Sequence, residues 1–203
     1  MRTMLKLKHS SCLLCIGASQ SGKTSLVRRM ITHKAHDYEF RNIIWCYKVF
    51  QQWFAEAKGI KFVQGLPEKF QSESLVIIDD LMNDLNEKIA ELFTITAHHS
   101  RISVILILQN LFPRNKVMRD VSLNAQYITL FKNNRDVGQI QCFARQVYGN
   151  KAASFMDAYK KSTQGNFNYL LVDLHPRTNE RFRLRVSVFP DSNGVYWIYV
   201  PIK

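Results

Sequence analysis

Gly17-Ala18-Ser19-Gln20-Ser21-Gly22-Lys23-Thr24 fits the pattern Gly-x-x-x-x-Gly-Lys-[Ser/Thr] without a mismatch. Successive backbone N–H groups in such a loop can wrap an anion, and glycine at the tight positions lets the backbone come close to it. The stretch before it, Cys12-Leu13-Leu14-Cys15-Ile16, reads as a buried strand, and an amphipathic helix is predicted from Gly22 to about Thr32. A helix starting there aims its positive dipole end at the same anion. The reading is a phosphate cradle for ATP, formed by Gly17, Ala18, Ser19, Gln20, Ser21, Gly22, Lys23 and Thr24 and continuing into Ser25. Lys23 is placed to reach the β and γ phosphates, and Thr24 to give its hydroxyl to Mg²⁺.

Downstream, Leu75-Val76-Ile77-Ile78 is an apolar strand that ends in two acids, Asp79 and Asp80. A carboxylate at the tip of a strand following a phosphate loop faces the metal, so Asp79 is the candidate Mg²⁺ partner, through water. Asp80 is the candidate for orienting or deprotonating the attacking water. Glutamate is the usual residue at that place and aspartate is one methylene shorter, so Asp84 and Glu87 stand as possible helpers. The strand Ile102–Leu108 ends in Gln109-Asn110. Its order in the chain makes Gln109 a candidate sensor of the γ-phosphate.

The remaining chain alternates short apolar runs with amphipathic stretches, the signature of an α/β sheet protein. Strands are expected at Ile43–Tyr47, Ile60–Val63 and Tyr127–Phe131. Helices are expected at Trp53–Lys58, Asn86–His98, Lys116–Leu123, Val137–Tyr148 and Ala152–Tyr159. Beyond residue 150 the pattern becomes β-rich: Tyr169–Asp173, Phe182–Val188 and Val195–Val200, the last two joined as a hairpin by Asp191-Ser192-Asn193-Gly194. The organisation is therefore a core over residues 1–150 and a packed extension over 151–203, a single domain overall.

Composition agrees with a folded chain of one domain: 203 residues, 46% of them hydrophobic. The formal charge of +12 favours polyanionic partners. Cys12 and Cys15 form a Cys-x-x-Cys, but no second such pair or matching histidine pair follows. They read as core residues of a strand in a reducing, intracellular setting. No run approaches the roughly 18 apolar residues of a membrane helix, so no membrane span is expected.

The order GASQSGKTS, LVIIDD, SVILILQNLF and LFKNNRD resembles the FtsK–HerA branch of P-loop ATPases. Within it, the similarity is to the genome-packaging ATPases of double-jelly-roll DNA viruses, Maverick/Polinton-type elements and virophages. Ala97–Val104 and Leu171–Pro176 share in it. The resemblance implies a RecA-like core with the sensor strand between the two Walker strands, and a C-terminal hairpin packed on it. It implies a homo-oligomeric ring, a pentamer or hexamer, with ATP at subunit interfaces and a neighbour's arginine completing each site. Arg101 and Arg135 are the candidates. It implies translocation of double-stranded DNA into a capsid, contact with capsid proteins, and action inside the host at the virion assembly site, in nucleus or cytoplasm, with virion association left open. Asn134 stands where the family has proline.

Arg181, Arg183 and Arg185 alternate with Phe182, Leu184 and Val186. On a strand, this period places the three guanidinium groups on one face, either a solvated face or a stripe against phosphate backbone, to which Lys6, Lys8, Lys160 and Lys161 could add. The principal rival function is a nucleoside or nucleotide kinase, which usually carries an arginine-rich lid that is not evident here. A GTPase needs a base-reading Asn-Lys-x-Asp, and Asn134 takes the place of its lysine in Asn133-Asn134-Arg135-Asp136.

Overall fold

The computed structural model describes residues 5–81, 87–111, 116–135 and 137–200. Among these, nine strands form one sheet in the order β3-β2-β4-β5-β1-β6-β7-β8-β9. The strands are β1 Cys12–Ile16, β2 Asn42–Tyr47, β3 Lys61–Gln64, β4 Ser74–Asp79, β5 Ser103–Leu108, β6 Tyr127–Phe131, β7 Tyr169–Asp173, β8 Leu184–Arg185 and β9 Ile198–Tyr199. β1 to β6 run parallel, and β7 to β9 continue the sheet antiparallel. The expected architecture is present: β5 lies between the strand that leads into the phosphate loop and the strand that ends at Asp79.

The central strands are buried at every position and largely apolar, because both faces are covered. Leu13, Cys15, Ile77, Ile105 and Ile107 point to one face, where Leu26, Val27 and Met30 of α1 (Lys23–Thr32) pack with Trp45 and Phe54. Leu14, Ile16, Val76, Ile78, Val104 and Leu106 point to the other. That face is covered by α2 (Glu87–Glu91), a π-helical turn (Leu92–Thr96), α3 (Ala97–His99), α4 (Lys116–Asn124), α5 (Val137–Tyr148) and α6 (Ala152–Ser162). Cys12 and Cys15 fall on opposite faces, which rules the pair out as a joint metal clamp. Burial pushes both thiols up to about 12.

Four expected elements differ, one of them the strand expected over Val195–Val200, which shrinks to Ile198–Tyr199. Trp53–Lys58 forms only a 3₁₀ turn, Gln52–Ala55. Its rings wedge against Trp45 and Phe62, and Gly59 at φ 75° follows. The helix expected over Asn86–His98 is broken into α2, the π-helical turn and α3, with Asn86 outside the described residues. The strand expected over 182–188 shrinks to Leu184–Arg185, because Glu180–Phe182 closes a 3₁₀ turn whose cap, the Asn179 side chain, accepts the Arg181 N–H. The hairpin register still forms, Leu184 opposite Tyr199 and Arg185 opposite Ile198. The stripe of three arginines does not. Arg181 is exposed and Arg183 half-buried, whereas Arg185 is fully buried.

Candidate nucleotide site

In a parallel sheet the C-terminal tips of the strands share one edge, and adjacent loops there converge. Ile16 pairs with Leu108 and with Leu130, so Gly17 lies level with Gln109 on one side and Phe131 on the other. The Gly17 N–H donates to the Leu108 carbonyl at 3.1 Å. Ile78 pairs with Leu106, which sets Asp79 and Asp80 one and two residues further toward the same edge.

The loop is tight at both glycines. A Cβ at Gly17 would stand 2.6 Å from Cβ of Phe131 and 2.6 Å from the Ser21 hydroxyl. Gly22 caps α1 at φ 99°, a left-handed conformation, and Gln20 is also left-handed at φ 62°. Such alternation turns successive N–H groups into one concavity. α1 has no side-chain cap and no acid in its first turn, so its first N–H groups are left to an external acceptor. Lys23 lies across the loop, its ammonium donating to the carbonyls of Gly17 and Ala18, each at 2.8 Å. Burial lowers its pKa, and Asp80 and Asp79 are near enough to oppose that. Ala18, Ser19, Gln20 and Ser25 are exposed; Ser21 and Thr24 are half-buried.

Asp79 is 3% exposed. Burial, then the Asp80 charge, pushes its carboxyl up to about 6 against the pull of the Trp45 indole and of Lys23. Its Oδ2, like the Ser21 hydroxyl, is buried with no hydrogen-bond partner. A buried carboxylate oxygen left unpaired is costly. The residues fit a divalent cation held beside phosphate: a buried carboxylate and the Thr24 hydroxyl offer oxygen to the cation, and the cradle's N–H groups face the phosphate.

Asp80 is exposed and left-handed at φ 55°, so the chain turns sharply just after Asp79. Gln109 is exposed at the tip of β5. Glu87 is exposed at the start of α2, and Asp84 lies outside the described residues. Arg135 is exposed in the loop after β6, on the cradle's edge, its N–H donating to Asn133 Oδ1 at 3.0 Å. Asp136 lies outside the described residues. Arg101 lies before the other end of that strand, separated from Gln109 by Ile102 and the 6 residues of β5, which alone span about 20 Å at roughly 3.3 Å per residue. It pairs there with Glu73 at 2.9 Å. The Lys23 to Asp80 group is thus gathered at one edge with Gln109 and Arg135, and Arg101 is apart.

Two features escaped the sequence reading. Phe167, 69% exposed, sits against Gly22 of the cradle. The only advance signal was the Gly165-Asn166-Phe167-Asn168 turn. The pairing of Asp173 with Arg185 needed the antiparallel register, which no local pattern gives.

A sheet with the phosphate loop after β1, an acid-tipped β4 and an intervening β5 is the P-loop NTPase fold. No family model matches the chain, and no curated protein sequence matches it either. Among solved structures it is similar to the genome packaging NTPase B204 of Sulfolobus turreted icosahedral virus 2 in complex with sulfate. The identity is 14%, the TM-score 0.56, and the match covers 96% of this chain and 98% of that one. The same protein in complex with AMPPCP gives 14% and 0.55, over 96% and 98%. B204 of Sulfolobus Turreted Icosahedral Virus, a DNA-packaging ATPase, gives 16% and 0.52, over 95% and 98%. At these identities the likeness is one of fold, and it runs over almost the whole of both chains. Among the described residues, no helix is long and apolar enough to cross a membrane.

Proposed function

We propose that this chain is a Mg²⁺-dependent ATPase of the FtsK–HerA type that drives double-stranded DNA into a viral or virus-like capsid. One observation carries the ATPase part: the register aligns the Gly17 loop, Asp79 and Gln109 at the tips of three adjacent strands, with the Lys23 ammonium on the carbonyls of Gly17 and Ala18 and within reach of both acids' charge. The packaging part rests on the sequence resemblance, on the fold shared with B204 and on the +12 charge. The finer relationship, to the Maverick/Polinton and virophage enzymes, rests on the sequence segments alone.

In this reading, Gly17–Thr24 and Ser25 bind the triphosphate, and Lys23 exchanges the carbonyls of Gly17 and Ala18 for phosphate oxygens. Thr24 and Asp79 hold Mg²⁺, which when bound offsets phosphate charge. Asp80 orients the attacking water and accepts its proton on the carboxylate. Gln109 contacts the γ-phosphate and reports its loss. Subunits assemble into a pentameric or hexameric ring on the capsid, at the assembly site in the host. An arginine from the neighbour completes each site, and Arg135 is better placed for this than Arg101 because it stands on the cradle's edge.

The test is phosphate release from ATP with and without duplex DNA, beside the Lys23→Ala variant. The expected result is hydrolysis that DNA stimulates and Lys23→Ala abolishes. Phosphoryl transfer to an added nucleoside or nucleotide, with no response to DNA, would replace the motor by a kinase.

A further inference from the structure

The position of Phe167 points to a base-stacking platform for the nucleotide, an inference that rests on the ATP-binding reading above. The ring lies on the cradle itself: its Cδ1 is 2.9 Å and its Cβ 3.3 Å from where a Gly22 Cβ would be. Glycine at 22 is what makes room for it. Yet the side chain is 69% exposed, so packing against Gly22 leaves most of the ring open. Its backbone is left-handed at φ 62°, an uncommon and costly conformation for a non-glycine residue, and one that recurs at ligand clamps. The turn that holds it is closed by the Asn168 N–H donating to the Gly165 carbonyl at 3.4 Å, with the Asn168 amide packed where a Gly165 side chain would be. A phenylalanine presented this way contributes little to the core.

Strand order says which end of a nucleotide would meet it. Asp79 and Gln109 belong to β4 and β5, on one side of β1. The loop carrying Phe167 leads into β7, beyond β6, on the other side. A triphosphate lying along Gly17–Thr24 with its terminal phosphate toward Asp79 and Gln109 directs its sugar and base to the β6–β7 side. The other exposed large aromatics among the described residues are elsewhere: Phe50 follows β2, beyond β4, and Trp197 is in the C-terminal hairpin, where its indole N–H donates to Asp191. Phe167 therefore offers one open π-face where the base arrives. Every base has a π-face, so the platform favours a nucleobase without choosing strictly between adenine and guanine.

The probes are ATPγS, which has a base, and inorganic tripolyphosphate, which has none, titrated into the 203-residue chain and its Phe167→Ala, Phe167→Tyr and Lys23→Ala variants. Phe167→Ala is expected to weaken ATPγS about tenfold, equivalent to about 1.4 kcal/mol, and to leave tripolyphosphate within twofold. Phe167→Tyr keeps a ring and stays near the parent. Unchanged ATPγS affinity in Phe167→Ala would overturn the platform while leaving the cradle intact, provided Lys23→Ala loses both ligands. Equal weakening of both ligands by Phe167→Ala would also overturn it, because the residue would then be shaping Gly22 and not holding a base. A parent protein that binds neither probe would overturn the ATP reading, and the platform with it.

Discussion

Asp173 and Arg185 meet across adjacent antiparallel strands, Oδ2 to Nη2 at 2.6 Å, with both side chains buried. Arg185 is registered opposite Leu171, so Asp173 is its diagonal neighbour on the same face of the sheet. Asp173 also accepts the His175 N–H at 3.0 Å, and Arg185 donates to the carbonyl of Leu5. The pair therefore ties the start of the chain to its last hairpin. Burial pushes the Asp173 carboxyl up despite the pull of Arg185, which marks the interaction as one made at a desolvation cost.

Removing one partner leaves the other charge buried alone. Asp173→Ala or Arg185→Ala should lower stability by about 3–5 kcal/mol, read from urea unfolding. The double variant Asp173→Leu with Arg185→Met should recover much of that loss, since an apolar pair of similar volume leaves no unpaired charge. A loss of 1 kcal/mol or less for both single variants, within the range of an exposed pair, would mean that the bridge does not hold the hairpin.

The two cradle glycines should respond differently to alanine. Gly17 has buried Phe131 against it, with the Phe131 Cβ, an atom close to the backbone, at 2.6 Å from an added methyl. That neighbour cannot rotate away, so Gly17→Ala should cost about 1–3 kcal/mol by overpacking. At Gly22 the obstruction is the ring of exposed Phe167, which can swing aside, and the cost is the left-handed backbone at φ 99°, about 1–2 kcal/mol. Thermal melts of the two variants, alone and with Phe167→Ala, check this. Phe167→Ala should relieve the clash term in Gly22→Ala and do nothing for Gly17→Ala.

These particulars show how much the sequence could reveal. β1, β4, β5 and β6 were legible because a strand buried on both faces reads as a near-continuous apolar run, and the cradle was legible because its spacing is fixed by the anion it fits. The strand at Leu184–Arg185 was legible as well, but the burial of Arg185 was not. The same alternation of arginine and apolar residues fits an exposed stripe, yet here the chain is curled by the Glu180–Phe182 turn and Arg185 is drawn inward by Asp173. A partner 12 residues away in sequence, on a neighbouring strand, decides which side of that pattern is wet. Phe167 was hidden for a similar reason, since its meaning depends on Gly22, which only the fold brings beside it.

Acid should weaken the fold through His36. Its imidazole is 4% exposed and burial lowers its pKa to about 3, with nearby His9 and Lys6 adding to the shift and Asp37 opposing it. A free imidazole titrates near 6.5, so as pH falls below that value the unfolded chain takes up the proton first and gains on the folded state. This contribution to stability is complete above pH 6.5 and is lost on the way down to about pH 3, at about 1.4 kcal/mol per pH unit. Between pH 7.5 and pH 5, His36→Asn should melt with a shallower pH dependence than the parent, whatever its absolute stability, by about 2 kcal/mol over that interval. Equal slopes would locate the acid sensitivity in another group, such as His9 or His175, whose pKa values burial also lowers.

In the proposed ring, mixing subunits tests which arginine would act from the neighbour. Arg135 stands on the cradle's edge with its guanidinium exposed, while Arg101 is at the opposite end of the sheet and spends its charge on Glu73. Arg135→Ala should therefore cut hydrolysis by 10³-fold or more, the scale of an arginine finger, and Arg101→Ala should leave it within a few-fold. In a ring, a Lys23→Ala subunit cannot fire its own site but can still lend its arginine to the next. An inactive Arg135→Ala preparation titrated with Lys23→Ala subunits should regain activity, measured as phosphate release at constant total protein. Activity that never rises above the sum of the two separate preparations would mean that Arg135 acts within its own subunit or not at all. Full loss in Arg101→Ala, with rescue on mixing, would transfer the role to Arg101 and require a neighbour that presents the lower edge of its sheet to this cradle.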